Sequence, residues 1–582
     1  MLELLARRAA DAEPGFATKQ VRWAVVFDGQ GTFLDVVELG EAGQRGNRGQ
    51  TFRCCPEFSR QYKQGGGKSE FLWDAASVVA RYTDDPDDER LKARHGHFIK
   101  LLEEAAKVMS ELGPAAQVLA DAQVLGRIRA RLKEKRARPT DKVTLQVSGR
   151  FPLESEDWHV WWRKTYQASA GLDEDDSAVK KPHGGRKMVC LATGSIVEPL
   201  DTHPKIEGLA GVGGQGMGDV LVGMDKDAFT SYFLEQSANA AVSREAAYRY
   251  RAALNELIRT NSRKLAGALV LHWFKEKVDA AEDPLSWLDE PPEVEERNAQ
   301  QAARELLDSI AQGRRSDLGN NRYYALTLSG MSGRVMVRDW MEGPFEELVA
   351  NIGHWFDDLS IVHRDGGRTA SDPKFNAVMG ATVRELSYDP PSPPAPFVAK
   401  MWRVAVRGEP IPQTALAQAL ARAKVDIIGD EPFSHARMGL MKAYHIRSSR
   451  EDGEYMKPYL NEEHPAPAYH CGRMMAVLAK LQQAALGNVG AGVVQRYYAA
   501  ASTTPALVLG RLVRGGQFHL NKLEPGLAHW YEEKLGSIAA QLGDSVPQTL
   551  TLEEQSLFAL GYYQQLAFRK SDDADAEEKT NE

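Results

Sequence analysis

The chain has 582 residues, more than one hydrophobic core usually supports, and its 43 % apolar content is ordinary for globular proteins. No apolar run approaches the ~20 residues that cross a bilayer, and MLELLARRAADAEPG lacks the order of a secretory signal, so a cytoplasmic location without a membrane partner is expected. The formal charge of −8 excludes a uniformly basic chain, and four scattered cysteines without a C-x-x-C pair exclude a disulfide framework or a cysteine-rich zinc site.

Taken in order, VRWAVVFD (Val21 to Asp28) reads as a strand and HFIKLLEEAAKVMSEL as a helix. Between them QGGGKS (Gln64 to Ser69) is a glycine loop carrying Lys68. RIRARLKEKRAR (Arg127 to Arg138) holds seven basic residues and one acidic, the pattern of a solvated helix face or of a phosphate-attracting one. KVTLQVS (Lys142 to Ser148) and MVCLAT (Met188 to Thr193) read as strands, as do Val220 to Val222. SANAAVS (Ser237 to Ser243) is a polar loop whose Ser243 is placed to cap the helix REAAYRYRAALNELI. The acidic, proline-containing stretch from Asp283 to Glu296 reads as an exposed excursion.

The clustered prolines of YDPPSPPAPF (Tyr388 to Phe397) remove backbone donors and drive their neighbours from helical conformation, which marks a boundary. Beyond it TALAQALARAK, GRMMAVLAKLQQAALG and LAHWYEEKLGSIAAQL are helical, and the acidic SDDADAEEKTNE closes the chain. The expected class is α+β. An amino-terminal α/β domain spans 1–150, a central α/β region 151–387, a proline-rich linker 388–396, a helical bundle 397–570 and a disordered acidic tail 571–582.

Three motifs tempt an enzymatic reading. GVGGQG (Gly211 to Gly216) spells G-x-G-x-x-G, but a dinucleotide turn needs a strand into the first glycine and a helix from the last. Pro204 and Gly208 break the approach, and a strand-like run follows. QGGGKS is similar to a P-loop, yet Tyr62 stands where its first glycine belongs. HRDGG (His363 to Gly367) lacks the other kinase motifs and reads as a turn. His95 and His97, or His464 and His470, lack metal-ligand spacing. The expectation is therefore a protein without catalytic residues, cofactor or metal. A nucleotide-dependent enzyme using the glycine loops, and a protein-binding scaffold that reads no bases, stand as alternatives.

Several segments in order carry a resemblance: FLWDAASVVARY with HFIKLL; MVCLATGSIVEPLDTHPKIEGLAG continuing through DAFTSYFLEQSANAAVSREAAYRYRAALNELI; and YHCGRMMAVLAKLQQAALG, RYYAAASTTP, FHLNKL and LTLEEQSLFALGYYQQLAFRK. Together they resemble the large subunit of the type I-C CRISPR surveillance complex, Cascade. The glycine loop departs from the family pattern, with GGQGMGD where relatives are richer in serine. The resemblance implies a subunit that reads the protospacer-adjacent motif (PAM) in double-stranded target DNA, promotes unwinding and R-loop formation, and recruits a separate helicase-nuclease. Its implied partners are the guide RNA complex, the backbone and guide-processing subunits, and a small subunit made by internal translation that corresponds to the end of the bundle. Met456 is the best start for that product, with Met438, Met441, Met474 and Met475 as rivals.

On that reading Gly213, Gly214 and Gly216 let backbone approach base edges, and Gln215 both donates to and accepts from them. Lys205 ahead of the loop and Asn239 in SANAAVS join this motif-reading set. Arg53, Lys63 and Lys68 flank the other glycine loop as phosphate clamps or a wedge, with Arg127 and Arg131 adding attraction independent of sequence. Lys480, Arg496, Arg511, Arg514 and Lys522 line a path for the displaced strand. Tyr497, Tyr498, Tyr562 and Tyr563 read as packing residues.

Overall fold

A computed structural model describes residues 1–41, 47–58, 66–85, 88–169, 187–224, 227–229, 234, 236–265, 267–291, 299–388, 391–448, 453–487, 489, 492–543 and 546–568. The protein is α+β and divides into two compact units. Met1–Gly208 with Gly216–Thr260 forms the first, and Leu209–Gln215 with Asn261–Glu582 the second.

In the first unit, helix α1 (Leu2–Arg8) precedes strands β1 (Phe16–Val21), β2 (Trp23–Phe27), β3 (Phe33–Glu38), β4 (Gln50–Pro56), β5 (Trp73–Ala75) and β6 (Lys142–Val147). The WAVVF run is apolar throughout because β2 is internal to the sheet ordered β3-β2-β6-β5, pairing antiparallel with β3 and parallel with β6. β3 lies at the edge, and a bulge that skips Leu34 opposite Val26 and Phe27 lets Phe33 and Val36, three residues apart, both be buried. β1 and β4 form a separate antiparallel pair.

Between β5 and β6 run α2 (Glu89–Ala105), α3 (Leu112–Ala120) and α4 (Ala122–Glu134). Asp88 caps α2 by accepting from the Arg90 and Leu91 amides, and Asp121 caps α4 through Gln123 and Val124. Their apolar faces share one core with the sheet and with Trp162 of α5 (His159–Ser169). The expected MVCLAT strand shrinks to β7 (Met188–Val189), paired with β8 (Ile196–Val197). The hairpin closes at once, because the Cys190 amide donates to Ser195 O (2.8 Å) and the Gly194 amide to Cys190 O (2.8 Å). The unit ends in α6 (Arg244–Thr260), which Ser243 caps by accepting from the Ala246 amide at 3.1 Å.

The second unit opens with the antiparallel meander β9 (Ser262–Leu265), β10 (Ala268–Phe274), β11 (Arg322–Met331) and β12 (Arg334–Pro344), ordered β12-β11-β10-β9. α7 (Ala299–Ala311) and α8 (Phe345–Leu359) share a core with Val270, Tyr323, Ala325 and Met341 of that sheet. The proline-rich stretch forms a two-residue ladder, β13 (Ser387–Tyr388) with β14 (Pro391–Ser392). It does not separate one core from another, since a single apolar cluster runs from Leu265 to Ala567 across it.

Then come α9 (Ala395–Arg407), α10 (Gln413–Ile428), α11 (His435–Ser448), α12 (Pro467–Leu486), α13 (Val493–Ala501), α14 (Pro505–Leu520), α15 (Pro525–Leu542) and α16 (Leu552–Ala567). α12 and α16 touch backbone to backbone at two glycines. A Cβ on Gly472 would lie 1.9 Å from Phe558 O, and one on Gly561 2.1 Å from Tyr469 O. Buried polar pairs fix their register: Tyr469 Oη donates to Gln564 Oε1 (2.5 Å) and Arg473 Nε to Gln565 Oε1 (3.0 Å). No described helix is long and apolar enough to cross a membrane.

Candidate nucleic-acid interface

In the first unit, the approach to the glycine loop is an extended segment fastened to α6 at alternate residues. His203 Nδ1 lies 2.6 Å from Tyr250 Oη, the Lys205 carbonyl accepts from Arg251 Nε (3.1 Å), and the Glu207 amide donates to Asn255 Oδ1 (2.9 Å). Between these fasteners Ile206 bridges Asp219 through paired backbone hydrogen bonds of 2.8 and 2.9 Å. Period-two geometry explains the pattern, because one edge of an extended chain bonds the helix while the intervening residue faces the other way.

Beneath this segment lies a charge cluster in which Glu57, Lys19 and Arg251 are buried and Glu207 is exposed. Glu57 accepts from Arg251 Nη1 (2.5 Å) and Nη2 (3.2 Å) and pairs with Lys19 Nζ (2.8 Å). Glu207 accepts from Arg251 Nη2 (3.2 Å) and lies 3.5 Å from Lys19 Nζ. Burial pushes the Glu57 carboxyl up, but Arg251 and then Lys19 outweigh it and hold it well below the usual carboxylate range. Burial likewise opposes the charge on Lys19, yet Glu57 and Glu207 raise its pKa overall. The cluster therefore stays ionised, satisfied by its own members.

In the second unit, Ala210–Val212 make a single 3-10 turn, closed by the Val212 and Gly214 amides donating to Leu209 O (2.9 Å each). Gly213 has φ +86°, and a Cβ there would sit 2.7 Å from Gly330 O; one on Gly330 would sit 2.1 Å from Gly214 Cα. Gly213 and Gly330 are thus required by the close packing of this turn on β11. Gln215 is exposed, with its side-chain amide against Gly333 in the β11–β12 turn. Where the chain re-enters the first unit, Gly216 faces open space and Met217 is 73 % exposed.

No helix follows Gly216, so the dinucleotide geometry is absent here. The strand expected over Val220 to Val222 is also absent. Only Asp219 and Val220 form bridges, because an apolar run of three between Gly218 and Gly223 is too short to sustain a ladder. Sequence reasoning passed over Lys264 of β9, whose Nζ is 3.8 Å from the Cβ position of Gly211, and Arg334, which follows Gly333 in the turn. A basic residue in a short strand opposite a glycine loop carries no local signal.

Asn239 lies in the 3-10 turn Gln236–Ala240, half-buried, and its Nδ2 donates to Leu234 O (2.9 Å). Arg53 is exposed on β4. Lys68 is half-buried, its carbonyl accepting from Arg94 Nε at 3.2 Å; Lys63 lies outside the described residues. On α4, Arg131 donates to Asp35 Oδ1 (2.8 Å) and Glu134 Oε2 (2.6 Å), and its hydrogen bond is the main reason the Asp35 carboxyl drops to about 2. Arg127 stacks on Phe33, 5.4 Å from the ring centroid, and remains exposed, as do Lys133, Arg136 and Arg138. The helix face is thus partly structural and partly open cation.

In the bundle Lys480 Nζ donates to Leu566 O (2.8 Å) near the carboxyl end of α16. Arg496 and Arg511 line one cleft, while Arg514 and Lys522 are exposed on α14 and just beyond it. Tyr498, Tyr562 and Tyr563 are buried, and Tyr497 is half-buried in the cleft wall. Met456 is buried in the unit's core. The HRDGG stretch is a turn closed by the Val362–Thr369 bridge. His95 and His470 bond to backbone carbonyls, and no cluster able to hold a metal occurs among the described residues.

A family model described as CRISPR-associated protein (Cas_Csd1) matches residues 3–569. No curated protein matches the chain.

Proposed function

The chain belongs to the CRISPR-associated Csd1 family, and on that premise we propose that it is the non-catalytic, DNA-binding large subunit of a type I-C Cascade. It reads a short motif in duplex DNA, supports strand opening for guide pairing, contacts the displaced strand and recruits the helicase-nuclease. In RNA-guided targeting the guide reads most of the sequence by base pairing, so the protein needs to read only a few base pairs.

The observation that carries this reading is Gln215. It is an exposed amide at the end of a turn whose preceding backbone is fixed on β11. An amide that both donates and accepts, held on a rigid turn, discriminates base edges, whereas an amide on a mobile loop dissipates its binding energy in ordering. Lys264 and Arg334 add positive charge around the turn for adjacent phosphates. Asn239 serves as a second polar reader, and Arg53, Lys68, Arg127, Arg136 and Arg138 supply attraction that is blind to sequence.

The test is binding of the assembled complex to duplexes differing only in the motif. Gln215→Ala and Asn239→Ala each change the order of preference by about 1–3 kcal/mol at the affected base pair. Arg127→Ala with Arg138→Ala weakens all duplexes alike and reduces the salt slope by about 1 for each phosphate no longer neutralised. Unchanged preference in both amide variants rejects the assignment of the reading residues.

A further inference from the structure

A cleft of about 270 Å³ opens on the helical bundle between α12, α13 and α14. Each helix contributes a stripe at helical spacing: Leu478 and Gln482 from α12, Val493 with Arg496 and Tyr497 from α13, and Arg511, Gly515 and His519 from α14. The α14 stripe has its gap at Gly515, where a Cβ would meet nothing within 4 Å. Helix packing does not require that glycine, and in a helix interior it costs about 1 kcal/mol relative to alanine. Its effect is to leave room between Arg511 and His519.

Two further features mark the cleft as built for an anion. Arg496 and Arg511 form no ion pair among the described residues, although both line a small common cavity. His519 Nδ1 is buried without a hydrogen-bond partner among the described residues, a state that costs free energy until something occupies it. The wall facing Arg511 is rigid, since Gln482 Oε1 accepts from the Val493 amide (2.7 Å) at the first turn of α13. Guanidinium groups in such a setting favour tetrahedral or planar oxyanions that accept two hydrogen bonds at once.

We propose that this cleft binds one phosphodiester of single-stranded nucleic acid, with Arg496 and Arg511 on the phosphate, His519 at the inner end and the Tyr497 ring beside the sugar. The volume lies just below the roughly 300–1,000 Å³ of pockets for whole drug-sized ligands, which suits a phosphate with its sugar and leaves the base outside. Arg514, exposed three residues beyond Arg511 on the same helix, extends the positive surface away from the cleft for a neighbouring phosphate. This site rests on the nucleic-acid reading above and gives the displaced strand a defined place on the bundle.

The experiment is fluorescence anisotropy of a labelled oligothymidine with the full chain at several salt concentrations. Arg496→Gln with Arg511→Gln lowers affinity at least tenfold and reduces the salt slope by about 1.4, the value for two cations on a single strand. Gly515→Leu, which fills the gap without changing charge, lowers affinity similarly while circular dichroism and melting temperature stay near wild type. If both variants bind as wild type while substitutions on α4 weaken binding, the cleft is not a nucleic-acid site and the DNA-binding reading stands. If the wild-type chain binds no oligonucleotide, both are overturned. Displacement of the oligonucleotide by inorganic phosphate or thymidine monophosphate at equal concentration assigns the cleft to a free anion, and displacement by an acidic peptide alone assigns it to a protein; either result overturns the proposal.

Discussion

Arg251 shows how much of the candidate interface is held by residues that carry no motif. It lies 194 positions from Glu57, its main partner, and joins α6 to the end of β4 and to the segment before the glycine loop. Removing one partner of a buried ion pair strands the other, so Arg251→Met or Glu57→Gln destabilises the first unit by about 3–5 kcal/mol, measured by urea unfolding. The pH dependence follows from the shifts. Glu57 and Glu207 are depressed when folded, so their contribution is complete above the unfolded carboxylate value near ~4.3 and is lost as pH falls through their folded values. Lys19 is raised when folded, so its contribution holds below ~10.4 and disappears as pH climbs past its folded value. Unfolding free energy therefore contains a plateau across neutral pH that Glu57→Gln flattens on the acid side.

At the scale of elements, segments with a strong local pattern are legible. WAVVF, KVTLQV and the amphipathic runs of α6, α12 and α15 appear close to where their periodicity puts them, whereas the helix expected over HFIKLLEEAAKVMSEL is cut short, since α2 starts at Glu89 and stops at Ala105. The β9–β12 meander is legible in principle, since ALVLHWF and YYALTLSGM are apolar, β-branched and aromatic runs, but sequence reasoning passed over them. Val220 to Val222 mislead because three apolar residues between glycines satisfy a strand's composition without offering a ladder partner. The glycines of GVGGQG suggest openness toward a ligand, whereas Gly213 answers to Gly330 more than a hundred residues later, and Gly330 in turn to the Gly214 backbone. That long-range constraint yields a prediction. Gly330→Val pushes against the Gly214 backbone, costs about 1–3 kcal/mol by overpacking, and reduces motif discrimination more than it reduces overall DNA affinity. The α12–α16 crossing gives a control at a distance from the loop: Gly561→Val costs about 3 kcal/mol by the same mechanism in urea unfolding while leaving motif preference intact.

For the molecule as a whole, the net charge conceals the functional pattern. A sum of −8 coexists with exposed cations on α4 and α14 and with acidic stretches elsewhere, so local fields rather than the total govern attraction to a polyanion. The division at Thr260 and Asn261 carries no proline or glycine marker, which is why composition points to the proline-rich stretch while the second unit's core runs through it. Family membership places the chain among CRISPR-associated proteins, and on the function proposed above the exposed Gln215 amide is where a motif is read. The most direct test is the affinity of the guide-loaded complex for two matched duplexes that differ only in the motif, measured without added nucleotide and with the wild-type or Gln215→Ala chain. The account predicts at least a tenfold preference for one motif with the wild-type chain, reduced or reordered by Gln215→Ala. Equal affinity for both duplexes, or a preference that appears only when nucleotide is added, contradicts it.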